Sequence, residues 1–100
     1  TDPISLAPLR LALYQNYPNP FNPSTRISYS LPGKEWVTLE IYDISGERVA
    51  QLVDGEQERG FHTAEWNGKN MRGDQVVSGV YFCRLTAGKQ AISKKMVLIK

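Results

Sequence analysis

One hundred residues, 41% of them hydrophobic, suit one domain with a modest core. A net charge of +2, with basic residues scattered until the end of the chain, argues against nucleic acid as a partner, which calls for a basic stripe. No apolar run approaches the ~18 residues that span a bilayer, and the single cysteine, Cys83, excludes an internal disulfide.

Thr1 to Pro8, TDPISLAP, has two prolines and little periodicity, and reads as a linker. With Thr1 in place of a methionine and no basic-then-apolar leader after it, the chain reads as a piece of something longer, any signal peptide lying upstream. Leu9, Leu11 and Leu13 alternate with Arg10 and Ala12, a short candidate strand. Residues 1–13 are thus a leader with a candidate first strand, and 14–100 the domain proper. Gln15 to Pro23, QNYPNPFNP, cannot be helical, because proline lacks an amide donor and pushes the residue before it to extended backbone. It reads as a rigid connector with Tyr17 and Phe21 as plugs. Asn22-Pro23-Ser24 is not a glycosylation acceptor, since proline holds the middle position.

Ile27, Tyr29 and Leu31 alternate with polar residues, a half-buried strand. Pro32-Gly33 turns the chain. Val37, Leu39 and Ile41 give the clearest strand, and Asp43-Ile44-Ser45-Gly46 the next turn. Val49 to Val53 reads as a short strand closed by Asp54-Gly55, with Glu56 to Arg59 a loop. Phe61 to Trp66 is a strand with His62, Ala64 and Trp66 on one side. A turn-rich crossing follows, with Gly68, Gly73 and Gly79 beside Asn67, Asn70 and Asp74. Val80 to Leu85 is β-branched and aromatic, with Tyr81, Cys83 and Leu85 facing inward. Gly88 marks a hairpin, and Ile92 to Ile99 is the last strand, with Met96 and Leu98 inward. Seven strands at this spacing, with no helix, predict an all-β sandwich. Trp66, Tyr81, Leu85, Leu39 and Ile41 are expected at its centre.

No nucleophile elbow, P-loop or dinucleotide fingerprint occurs. His62, the sole histidine, has no second ligand at a metal-site spacing and reads as structural. Cys83 has no activating base beside it and reads as a small buried hydrophobe. Oxygen ligands gather in Asn67–Asp74, but a calcium loop ordinarily carries more carboxylates. Trp36 is the strongest candidate for a sugar platform, against capping a strand or packing on the Pro-rich segment. The residues predict no catalysis, no cofactor and no metal.

Five motifs stand in order: Tyr17-Pro18-Asn19-Pro20-Phe21-Asn22-Pro23-Ser24-Thr25, Ile41-Tyr42-Asp43-Ile44-Ser45-Gly46, Trp66-Asn67-Gly68, Ser78-Gly79-Val80-Tyr81, and Lys95-Met96-Val97-Leu98-Ile99-Lys100. Together they resemble the type A C-terminal sorting domain of type IX secretion substrates, over about residues 13 to 100. The resemblance implies an immunoglobulin-like sandwich of about seven strands and a non-catalytic role. A passenger upstream on the same chain reaches the periplasm by its own leader. The domain then directs it through an outer-membrane translocon to the surface or medium, where a sortase removes the domain and attaches the passenger to anionic lipopolysaccharide. Cys83 departs from the aromatic residue often found there, which predicts a slightly underfilled core. No cut site is identifiable in Thr1 to Leu13.

The residues implied in sorting and partner contact are Asn19, Pro20, Phe21, Asn22, Pro23, Lys94, Lys95, Met96, Val97, Leu98, Ile99 and Lys100. A terminal strand at a sheet edge offers free N–H and C=O groups to a partner strand, and Lys94, Lys95 and Lys100 offer a basic flank to anionic machinery or lipopolysaccharide. Ile41 through Tyr81 also resembles the immunoglobulin-like domain of flagellar hook-capping proteins, an assembly scaffold. A carbohydrate-binding accessory module of an extracellular enzyme is the third reading.

Overall fold

The structure, a computed structural model, describes residues 9–100. Among them the chain forms seven strands and no helix: β1 (Ala12–Leu13), β2 (Thr25–Leu31), β3 (Glu35–Asp43), β4 (Arg48–Gln57), β5 (Gly60–Trp66), β6 (Gly79–Ala87) and β7 (Gln90–Leu98). One sheet has the order β1-β2-β5 and the other β4-β3-β6-β7, every pairing antiparallel. This is the all-β sandwich that the alternation predicts, in the immunoglobulin-like form that the resemblance implies.

The period of two decides what is buried. Opposed pairs Leu39–Leu85, Ile41–Cys83 and Tyr81–Met96 line the inner face of the four-stranded sheet. Ile27, Tyr29 and Trp66 line the facing sheet, and all of these side chains are buried. The five residues expected at the centre lie in this one core. β1 adds Leu13 to it and pairs with β2, and it lies within the candidate first strand read at Leu9 to Leu13. Thr1 to Pro8 lie outside the described residues.

β4 departs from its expected length. Asp54-Gly55 reads locally as a stop, yet Asp54, Gly55, Glu56 and Gln57 continue the ladder opposite Thr38, Val37, Trp36 and Glu35. Cross-strand pairing with the long β3 overrides the local turn chemistry. Register shifts at Leu39/Glu40 and Ile41/Tyr42 absorb the extra residues as bulges.

The crossing from β5 to β6 closes one end of the sandwich. The Trp66 indole donates to the Lys69 carbonyl at 3.0 Å, and the Met71 amide to the Val49 carbonyl at 3.1 Å. Asn67 Oδ1 accepts from the Lys69 amide, and Asn70 Oδ1 from those of Arg72 and Asp74. These oxygens, the ones that suggested a cation loop, hold turns. Gly68 has φ +75°, and a Cβ there would stand 2.9 Å from Gln75 Nε2 and 3.0 Å from the Pro23 carbonyl. Both the backbone and the space demand glycine.

Candidate functional site: the clasp joining the two ends of the chain

Gln15 to Pro23 changes sheets. The Tyr14 amide donates to the Ser28 carbonyl, and Tyr17 and Arg26 exchange two backbone bonds of 2.9 and 2.8 Å, which extends the edge of β2. By Phe21 the chain has reached the other sheet. The Phe21 amide donates to the Val97 carbonyl at 2.9 Å, and the Ile99 amide to the Phe21 carbonyl at 3.0 Å. The Val97 amide donates to Asn19 Oδ1 at 3.0 Å, a contact between residues 78 apart in sequence. Gln15 Nε2 donates to the Lys95 carbonyl at 2.8 Å. Proline has no donor to lose, so the ladder contacts fall on the residues between prolines. The bonds preceding Pro18, Pro20 and Pro23 are cis.

A small polar knot holds the crossover. Asn16, 3% exposed, donates from Nδ2 to the Pro18 carbonyl at 3.1 Å and to Thr25 Oγ1 at 2.9 Å. Its Oδ1 accepts from Gln15 Nε2 at 2.7 Å, and the Thr25 hydroxyl donates to the Pro18 carbonyl at 2.8 Å. Buried polar groups are tolerated when paired in this way. Below the knot lies an aromatic row. Phe21 is 2% exposed. Its ring centroid is 5.6 Å from that of Trp66, which is 5.3 Å from Tyr81 in an edge-on contact. The Tyr81 hydroxyl donates to the Val77 carbonyl at 2.6 Å. The Lys100 amide donates to Ser78 Oγ at 3.0 Å, which ties the last residue to the crossing.

The two stretches singled out from the sequence therefore meet in one place. Asn19 and Phe21 bond to β7, Pro20 and Asn22 are exposed, and the Pro23 carbonyl abuts Gly68. Met96 and Leu98 point into the core as expected, while Val97 and Ile99 receive the clasp. Three expectations need correction. Tyr17 is no plug: it is 79% exposed. Its backbone pairs with Arg26, and directly opposed residues share a face, so Tyr17 and Arg26 both look outward while Asn16 looks in. The end of β7 is no free edge either, since the clasp occupies Lys95, Val97 and Ile99. Finally, Lys94 and Lys95 form no common flank, because successive strand residues face opposite ways. Lys94 shares its face with Met96 and Leu98, Lys95 with Val97. All three lysines are exposed.

Asn16 and Thr25 are the clasp residues that sequence reading passed over. Thr25 carried a signal, since it continues the Ile27–Tyr29 alternation. Asn16 carried none, since an Asn beside prolines reads as turn material. Trp36 does not pack on the Pro-rich segment. It is 59% exposed near the start of β3, opposite Glu56, and its indole donates to Asp54 Oδ1 at 3.0 Å. His62 stacks on Tyr29, and its Nε2 lies 2.8 Å from the Glu58 carbonyl. Burial pushes the Cys83 thiol up to about 12, away from the reactive thiolate.

The family model of the FlgD Ig-like domain matches residues 22–91. No curated protein matches the sequence. Among solved structures, dimeric latent PorU from Porphyromonas gingivalis matches with a TM-score of 0.74 and 20% identity, over 91% of this chain and 10% of that one. PorZ of the same organism, described as an essential bacterial surface component of its type IX secretion system, matches with a TM-score of 0.57 and 19% identity, over 90% of this chain and 11% of that one. The chain thus spans about a tenth of each, and at such identities the likeness is one of fold.

Proposed function

The chain belongs to the FlgD Ig-like domain family, and from that premise we propose that it is a non-catalytic C-terminal sorting domain of type IX secretion. In this reading it directs a passenger upstream on the same chain from the periplasm across the outer membrane. Its partners are the translocon and a cell-surface sortase, and its destination is the cell surface or the medium, with anionic lipopolysaccharide the acceptor for the released passenger.

The observation that carries the reading is the clasp. The Pro-rich motif and the terminal motif lie at opposite ends of the sequence, yet Asn19 and Phe21 bond directly to Val97 and Ile99. A signal made of two distant motifs is thereby a single folded surface, present only once the domain has folded. The sandwich likeness to PorU and to the surface component PorZ supports the same setting. Because the clasp covers the end of β7, recognition acts on exposed side chains around it, such as Pro20, Asn22, Ile99 and Lys100, rather than by adding a strand at Val97.

A periplasm-targeted reporter fused ahead of Thr1 tests this in a host with type IX secretion. The intact fusion should reach the surface or medium, and one lacking residues 95–100 should stay in the periplasm. That deletion also removes Met96 and Leu98 from the core, so Ile99→Ser with Lys100→Glu is the decisive companion, since it alters exposed side chains alone. If both variants are exported like the intact fusion, the sorting reading fails. One observation favours a second reading, an Ig-like assembly scaffold: the family match at residues 22–91 leaves out Asn19, Phe21 and the terminal motif.

A further inference from the structure

The outer face of the four-stranded sheet carries a second constellation, independent of the clasp. Directly opposed residues in antiparallel strands share a face. Arg48, Tyr42, Phe82 and Lys95 are opposed in turn across β4, β3, β6 and β7. Gln51, Glu40, Arg84 and Ser93 form the adjacent row. The two nearby carboxylates are already engaged. Glu40 accepts from Arg48 Nη1 at 2.8 Å, from the Tyr42 hydroxyl at 2.9 Å and from Gln51 Nε2 at 3.3 Å. Burial alone pushes its carboxyl up, but these donors and the Arg48 charge together hold it below the usual range. Asp43 accepts from the Ser45 amide and hydroxyl and from the Glu47 amide, within its own turn.

Two cations are left over. Arg84 and Lys95 are exposed and have no ion-pair partner among the described residues. Beside them Phe82 is 37% exposed and Ile44 78% exposed. A pocket of about 310 Å³ lies here, lined by Tyr42, Ile44, Gly46, Phe82, Arg84 and Ser93 with Asp43. Its size is at the lower end of the ~300–1,000 Å³ typical of ligand sites.

We propose that this pocket binds an acidic oligosaccharide, with a sugar ring against Phe82 and Tyr42 and a carboxylate paired with Arg84 and Lys95. The C–H face of a sugar ring covers an exposed aromatic, its hydroxyls suit Ser93, and a carboxylate suits a guanidinium fork. A neutral glycan leaves both cations without a counterpart. A peptide gains no backbone ladder here, because the pocket lies on the face of the sheet and not at its edge. Nucleic acid calls for a longer basic stripe than two free cations. The site does not rest on the sorting reading.

Titrating the chain with trigalacturonate and following the backbone amides by NMR tests this. Shifts should centre on Gly46, Phe82, Arg84 and Ser93, and binding should weaken with added salt. Arg84→Gln should lose about tenfold in affinity, and its dispersed amide spectrum should show that it is folded. Lys89→Gln, which removes the same charge at the β6–β7 hairpin, should bind as the native chain does, and uncharged maltotriose should bind more weakly. The proposal is overturned by the absence of millimolar binding, by shifts centred elsewhere, by an Arg84→Gln that binds undiminished, or by equal affinity for maltotriose. Tighter binding of a short oligothymidylate at the same amides also overturns it, in favour of single-stranded nucleic acid.

Discussion

β7 belongs to two regions that differ in kind. On one side it meets the core and the clasp, where Met96 and Leu98 are buried and Val97 and Ile99 are bonded to the Pro-rich segment. On the other side, Ser93 and Lys95 stand on an open sheet face beside Arg84 and Phe82. The first region has its polar groups paired: no buried side-chain nitrogen or oxygen among the described residues is without a partner. The second leaves charges unpaired at the surface. Because strand residues alternate faces, Met96 and Leu98 serve the core and Ser93 and Lys95 the open face, while the clasp takes only backbone groups at the strand's edge. Changes to the buried side chains of the core and clasp should therefore read out as stability, and changes on the open face as binding.

The strongest way to break this separation is Trp66→Ala. Trp66 touches both Phe21 and Tyr81, and truncating a buried aromatic costs ~3–5 kcal/mol, against a total of ~5–15 kcal/mol for a small domain. Urea denaturation should find the variant unfolded or nearly so; a loss below about 1 kcal/mol contradicts its central place. Phe21→Ala should lie toward the low end of the same ~3–5 kcal/mol range, because it sits on a connector that can detach and take up water. Its specific sign is faster chymotrypsin cleavage after Tyr14, which precedes Gln15, while the core strands stay protected. Equal rates in native and variant chains mean that the clasp is not held by Phe21.

Cys83 gives a pH test of the inner face. Burial raises its thiol from 9.0 to about 12, so above pH 9 the unfolded chain releases a proton that the folded chain keeps. The stability due to the neutral thiol is whole below the unfolded value and is lost as pH rises toward the folded one. Stability measured from pH 8 to 11 should fall less steeply for Cys83→Ala than for the native chain, and folded Cys83 should react slowly with a thiol reagent at pH 8. The smallest effect belongs to the open face. Arg48 and Glu40 form a partly exposed ion pair, and a double-mutant cycle with Arg48→Ala and Glu40→Gln should return ~0.2–1 kcal/mol. Glu40 is held low in the folded state, so its small contribution is present above the unfolded carboxylate range and is lost as pH falls through the folded value. A coupling comparable to the Trp66 loss would erase the distinction between the two regions.

The sequence by itself determined the strands, their inward residues and the all-β class. Alternation is a local property, and a residue such as Leu39 or Cys83 faces the core whichever strand becomes its neighbour. It also marked Phe21 as a plug, although the same reading failed for Tyr17. The length of β4 was not legible, because Asp54-Gly55 carries turn chemistry and only the partner β3 supplies a reason to continue. Nor was the fate of Tyr17 against Asn16. Local preference sends a tyrosine inward and an asparagine outward, and the pairing of Tyr17 with Arg26 reverses both. The meeting of Asn19 with Val97 was decided by tertiary structure alone. A hydrogen bond between residues 78 apart depends on how two sheets stack, and no local periodicity encodes that. The same holds for Arg84 and Ser93, which become a site only when β3, β6 and β7 set their register.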